Sequence, residues 1–153
     1  MPKKHNLHVG RIHADWCGHC VALKDQWEKF KDKLKFGMGR SLKNVVIEHH
    51  DFEDSEERKS KGHFVDKELD RYNNTFLANS PIKVALQNGY PTLFRLLNGH
   101  LEYHTGERTT DSMFAWYTRG IINQHGGTKK RRGKRSRKNR KRSRRTYSNR
   151  KGN

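Results

Sequence analysis

Apolar positions along the chain alternate between strand-like and helix-like spacing. In residues 5–14 (HNLHVGRIHA), Leu7, Val9 and Arg11 fall on one side and His8, Gly10 and Ile12 on the other, a weak alternation that predicts a strand. From Gly18 to Lys35 the residues Leu23, Trp27, Phe30 and Leu34 recur at i, i+4, i+7 and i+11, the mark of a helix with one buried stripe and a charged outer face. After FGMGRS, residues 42–49 carry the β-branched run Val45-Val46-Ile47 and predict a buried strand. Residues 50–63, acidic and then mixed in charge, read as a loop. Residues 64–77 place Val65, Leu69, Tyr72 and Phe76 on one helical face. Residues 93–97 and 100–104 flank Asn98-Gly99, the pair preferred where both turn residues need positive φ, and so predict a hairpin. Thr109 or Thr110 caps a last helix bearing Met113, Phe114, Trp116, Tyr117 and Ile121. The predicted order is β-α-β-α-β-β-α, an α/β pattern without internal repeats.

Composition changes the picture only at the C-terminal end. The 153 residues carry 34 Lys+Arg against 16 Asp+Glu, a net charge of +18, and are only 31% hydrophobic, too polar on average for one packed core. Residues 126–153 hold 15 of those Lys/Arg, no acid and one hydrophobic residue, Tyr147. Residues 1–125 keep 19 Lys/Arg against 16 acids, an ordinary balance for a small globular domain. One domain over 1–125 and a disordered basic tail over 126–153 are expected. No stretch approaches the roughly 18 apolar residues of a membrane span, and no apolar run follows Met1-Pro-Lys-Lys-His to make a signal-peptide core. A cytoplasmic protein is the expectation.

The two cysteines, Cys17 and Cys20, lie three positions apart where the first strand hands over to the first helix. A bridge between them closes too small a loop to add much stability, which points to chemistry. A thiol at a helix N-terminus meets unpaired backbone N–H groups and the positive end of the helix dipole, and both favour the thiolate. Cys17 is the expected nucleophile. Cys20, one turn further and more buried, would attack the resulting mixed disulfide. His19 can add positive charge beside the thiolate. A zinc set of His13, Cys17, His19 and Cys20 is the competing reading, but the spacing makes tetrahedral closure awkward. An inactive scaffold retaining the motif and an iron–sulfur cluster bridging two copies through Cys17 are the others. No cofactor is expected.

The motif Trp16-Cys17-Gly18-His19-Cys20 resembles the active site of the protein disulfide isomerase branch of the thioredoxin superfamily. Two further stretches resemble the same family in the right order: Gly89-Tyr90-Pro91-Thr92-Leu93-Phe94 is similar to its cis-proline loop, and Glu102 to Thr109 to its approach to the last helix. The resemblance spans about residues 5–122 and implies a thioredoxin-like fold and a thiol–disulfide oxidoreductase acting on protein disulfides, likewise without a cofactor. It implies a cis bond at Pro91, beside the cysteines, with the Tyr90 backbone free to pair with substrate. It implies that Arg108 can approach Cys20, and that Trp16 packs beside the site and shields it. A monomer with no membrane partner is expected.

Three positions depart from the family. Four residues precede His5, whereas the family ordinarily has a strand and helix ahead of this strand, so a fold trimmed at its N-terminus is expected. Six positions before the first active cysteine the family has a buried acid that moves protons for the second; here that residue is Arg11, which leaves water or a histidine such as His13 for the task. Asp25 stands where the family has a helix-kinking proline, so a straighter helix is expected.

The tail is a low-complexity run preceded by Gly126-Gly127. Lys129, Lys130, Arg131, Arg132, Lys134 and Arg135 begin it, and such a run neutralises phosphates without reading bases. Nonspecific nucleic-acid binding, a nuclear address or a plain solvated tail all fit. A catalytically weak scaffold working through this tail is the alternative function. A small isomerase-like domain with this ending also resembles proteins of large nucleocytoplasmic DNA viruses, which implies a virion or viral-factory location.

Overall fold

The middle strand of the sheet is set by burial on both of its sides. In β1 (His5–Ala14) every residue from Leu7 to Ile12 is buried, His8 and Arg11 included, so the sequence alternation looks weak because neither face meets water. The computed structural model describes residues 3–36 and 42–122. The chain divides into two units, Met1–Ile122 and Asn123–Asn153. The second, with the expected tail 126–153 and its Lys129, Lys130, Arg131, Arg132, Lys134 and Arg135, lies outside the described residues.

Eight elements follow in order: β1, α1 (Gly18–Phe36), β2 (Val45–Asp54), α2 (Glu56–Ser60), α3 (Val65–Phe76), β3 (Thr92–Leu97), β4 (His100–Tyr103) and α4 (Thr110–Tyr117). The sheet runs β2-β1-β3-β4. β1 and β2 are parallel from His5 opposite Val45 to Ala14 opposite Asp54, and β3 is antiparallel to β1 and to β4. Leu7 and Val9 pack with Leu23, Trp27, Phe30 and Leu34 of α1 and with Met113, Phe114 and Tyr117 of α4. The opposite face gathers Ile12, Phe52, Phe94 and Leu96 with Leu69 and Tyr72 of α3. Each large side chain so buried contributes about 1.5–3 kcal/mol against the entropy of ordering it. A parallel β-α-β unit followed by an antiparallel hairpin, with α1 and α4 over one face and α3 over the other, is the thioredoxin-like arrangement.

The hairpin turns as its sequence predicts, with φ +51° at Asn98 and +83° at Gly99. Gly10 is required by contact, because a Cβ there would stand 2.1 Å from the Phe94 ring.

Three expectations need correction. The run predicted as a buried strand over 42–49 forms an outer strand that starts at Val45 and leaves Val46 half exposed. Its apolar residues are spent on one neighbour and one packed face. The loop predicted over 50–63 is strand as far as Asp54, because β1 offers hydrogen-bonding partners along that whole length, and then the helix α2. Ser55 caps α2 by accepting from the Arg58 N–H. The last helix is capped by Thr109 and ends at Tyr117, short of Ile121. Buried Arg95 donates from Nη1 to the carbonyls of Trp116, Tyr117 and Arg119, satisfying the end of α4 that further helix would otherwise have occupied.

Candidate active site

The turn from β1 into α1 fixes Cys17 as the cap of the helix. Its carbonyl accepts from the Val21 N–H at 3.0 Å, and its sulfur accepts from the Cys20 N–H at 3.3 Å, in the position where a serine or aspartate oxygen ordinarily sits. Burial opposes a charge on Cys17, but hydrogen bonds from the Cys20 side chain and from the Cys20 and His19 N–H groups, with the Arg108 charge added, outweigh it. The thiol lies below its ordinary value. Cys20 is pushed the other way. Burial, then the neighbouring Cys17, raise it to about 11, against hydrogen bonding from the Ala14 N–H and the charge of Arg11. The two thiols are free. Both thiols are buried.

Pro91 is buried, and its peptide bond with Tyr90 is cis, as the resemblance implies. The Tyr90 carbonyl accepts from the Cys17 thiol at 3.5 Å. Trp16 stands edge-on to the Tyr90 ring, centroids 5.6 Å apart, and is 66% exposed, so it forms a rim rather than a lid. The Tyr90 hydroxyl donates to Asp54 at 2.9 Å, and Lys59 lies 2.9 Å from the same carboxylate. Burial and that carboxylate push the Tyr90 phenol up to about 12. No local pattern signals this anchor, because it depends on β2 reaching Asp54.

Of the remaining predicted residues, Gly18 opens α1, and His19 is exposed and acts on Cys17 through its backbone N–H. Arg108 is exposed, and its charge favours the Cys17 thiolate. Asp25 lies within α1, which runs unbroken from Gly18 to Phe36. Arg11 and His13 line, with Cys20, Asp15, Glu28 and Glu53, a cleft of about 270 Å³ behind the second thiol. Arg11 donates from Nε to Asp51 at 2.7 Å, and His13 Nε2 is 3.8 Å from the same oxygen. Burial, then Arg11, lower the His13 imidazole, against the pull of Asp51. The neutral ring can take a proton. Asp51 was missed from sequence because its stretch read as loop.

No family model and no curated protein matches this chain. Three solved structures resemble it over about three quarters of its length. The J-Trx1 fragment of ERdj5 has 18% identity, 75% of this chain and 43% of that one covered, and a TM-score of 0.45. The first thioredoxin domain of mouse protein disulfide-isomerase A4 has 21%, 72% and 60%, and 0.43. The first two thioredoxin domains of Naumovozyma dairenensis Eps1p have 15%, 78% and 36%, and 0.47. The chain thus spans less than two thirds of each of these structures. Its fold assignment stands on strand order and connection, and its site on the geometry around Cys17.

Proposed function

We propose that this protein is a thiol–disulfide oxidoreductase of the protein disulfide isomerase type. The observation that carries the reading is the split between two thiols on one helical turn: Cys17 lowered, Cys20 raised to about 11. The Cys17 thiolate attacks one sulfur of a substrate disulfide, and the other sulfur leaves as a thiolate and takes a proton from solvent. The Cys20 thiol gives its proton into the cleft it shares with His13 and attacks the Cys17 sulfur. Substrate sulfur departs as a second thiolate, and the Cys17–Cys20 disulfide forms. Two electrons pass to the substrate, and the reverse sequence oxidises it. While substrate is attached, Trp16 and the Tyr90 carbonyl border the place its chain occupies.

Direction follows from potential. An isomerase-like value of about −180 mV against a cytosolic glutathione poise of about −240 mV favours the dithiol by roughly a hundredfold. In that surrounding the protein rests reduced and acts as reductase or isomerase. The basic tail, 15 Lys/Arg in 28 residues, suits tethering to a polyanion, so that the dithiol works beside a nucleic acid or inside a viral particle that packs one.

The test is the turbidity of insulin reduced by dithiothreitol, with wild type, Cys17→Ser and a chain ending at His125. Wild type and the shortened chain should accelerate precipitation at least tenfold over Cys17→Ser. Equal traces for all three would leave only the tail-dependent scaffold.

A further inference from the structure

On the α3 side of the sheet, away from the dithiol, three side chains of metal-binding type meet. His8 of β1 lies opposite Glu48 of β2 in the parallel register, and His50 lies two residues further along the same face. One donor atom from each falls within 4.8 Å of the other two, a grouping that occurs once among the described residues. His8 Nε2 is 3.9 Å and His50 Nε2 3.6 Å from the same Glu48 oxygen. Both separations exceed a hydrogen bond, and His50 Nε2 is buried with no partner. A buried ring nitrogen aimed at a carboxylate yet not bonded to it is costly unless something sits between them.

The surroundings fit a cation. Zinc takes imidazole nitrogen and carboxylate oxygen at about 2.0–2.2 Å, which sets tetrahedral ligand atoms roughly 3.3 Å apart. The two measured gaps are wider by only a few tenths of an ångström, and Glu48 stands on the outer strand with 43% of its side chain exposed, so it has room to close in. The other nitrogen of the His8 ring, Nδ1, lies 2.9 Å from the Tyr72 hydroxyl. That contact holds the ring, and in the tautomer that donates its Nδ1–H to the hydroxyl the Nε2 lone pair is free, the outer-shell arrangement typical of metal-bound histidines. Phe76 stands edge-on to both imidazoles, at 4.5 Å from His8 and 5.6 Å from His50, an apolar wall on one side of the group. His50 and Phe76 also line, with Tyr72, Glu68, Arg58 and Arg71, a surface cleft of about 410 Å³.

We propose that His8, Glu48 and His50 form a binding site for a divalent cation of the zinc class. Two neutral imidazoles and one carboxylate are a borderline-soft set that prefers zinc and its late first-row neighbours to magnesium or calcium. The site is distinct from the dithiol: His8 precedes Ala14 by six residues, about 20 Å of strand. By joining β1 to the outer strand beneath α3, the ion would stabilise the fold wherever it is bound.

Thiolates also bind zinc, so the test uses the full chain carrying Cys17→Ser and Cys20→Ser. Titration with zinc chloride by calorimetry should give one equivalent at micromolar affinity or tighter, and cobalt(II) should give visible bands without sulfur charge transfer. Adding His50→Ala or Glu48→Gln, both on the outer strand where folding is least at risk, should weaken zinc about a hundredfold, and Tyr72→Phe about tenfold. Circular dichroism confirms that each variant is folded. Loss of binding with the cysteines alone, or unchanged affinity in both His50→Ala and Glu48→Gln, would overturn the site.

Discussion

On one face of β1 the buried polar side chain is Arg11, on the other it is His8, and the two are accommodated by opposite means. Arg11 keeps its charge by pairing with Asp51 at 2.7 Å and resting over the Trp27 ring, its carbon 5.1 Å from the centroid. His8 is held neutral by burial and shares a hydrogen bond with the Tyr72 hydroxyl at 2.9 Å. A charge that must stay near Cys20 is neutralised by a partner on the outer strand; a ring that must stay uncharged is enclosed by aromatics. One strand can therefore back the two thiols on one side and hold imidazoles on the other, because alternate side chains never share an environment.

The strongest way to break this comparison acts between the faces. Gly10→Ala would drive a Cβ into the Phe94 ring, which is fully buried and cannot yield without reopening the α3 side. A loss of about 3 kcal/mol or more is expected in urea unfolding, and a loss under 1 kcal/mol would mean that the ring moves freely. Next in size is the charged face. Asp51→Ala strands a buried guanidinium and should cost about 2 kcal/mol, reduced from the fully buried case because 43% of the Asp51 side chain meets solvent. Arg11→Met should cost less, since an apolar side chain of similar size suits the site, yet it should raise Cys20 further and slow the resolving step seen by stopped-flow. The reverse order of stability would show that Arg11 is not held as a paired charge.

The smallest effect sharpens the other face. Burial lowers His8 and His50, and likewise His13, His49 and His104. The unfolded chain then binds more protons than the folded one below about pH 6.5, so stability present above that value is lost as pH falls through it. The urea midpoint should drop between pH 7.5 and 5.5, and less so in His50→Asn than in wild type. An unchanged midpoint would mean these rings titrate as they do in water.

How much of this was legible beforehand varied with the reach of the cause. The α1 stripe, the Asn98-Gly99 turn and the Cys17 cap are local, and spacing alone gave them. The Arg11–Asp51 pair, the Tyr90–Asp54 anchor and the His8 cluster all require the register of β1 against β2. That register ran through a stretch of charges at 50–54 that resembles loop when read alone. The surroundings of His50 stay hidden for the same reason: Tyr72 and Phe76 reach it from a helix more than twenty residues later. His19 was expected to act through its charge, but the hydrogen bonds that lower Cys17 come first from the Cys20 side chain and then from the Cys20 and His19 main-chain N–H groups, which no side-chain pattern records.

The outer position of β2 has one more consequence, for solubility. A strand with an open row of N–H and C=O groups invites another chain to pair with it, and Val45, Val46 and Ile47 are the kind of residues that would welcome it. Glu48, Asp51, Glu53 and Asp54 interrupt that invitation with a row of negative charges along the rest of the strand. Two such edges brought together repel, so this acidic stretch acts as a gatekeeper against sheet-to-sheet aggregation in a chain otherwise crowded with positive charge.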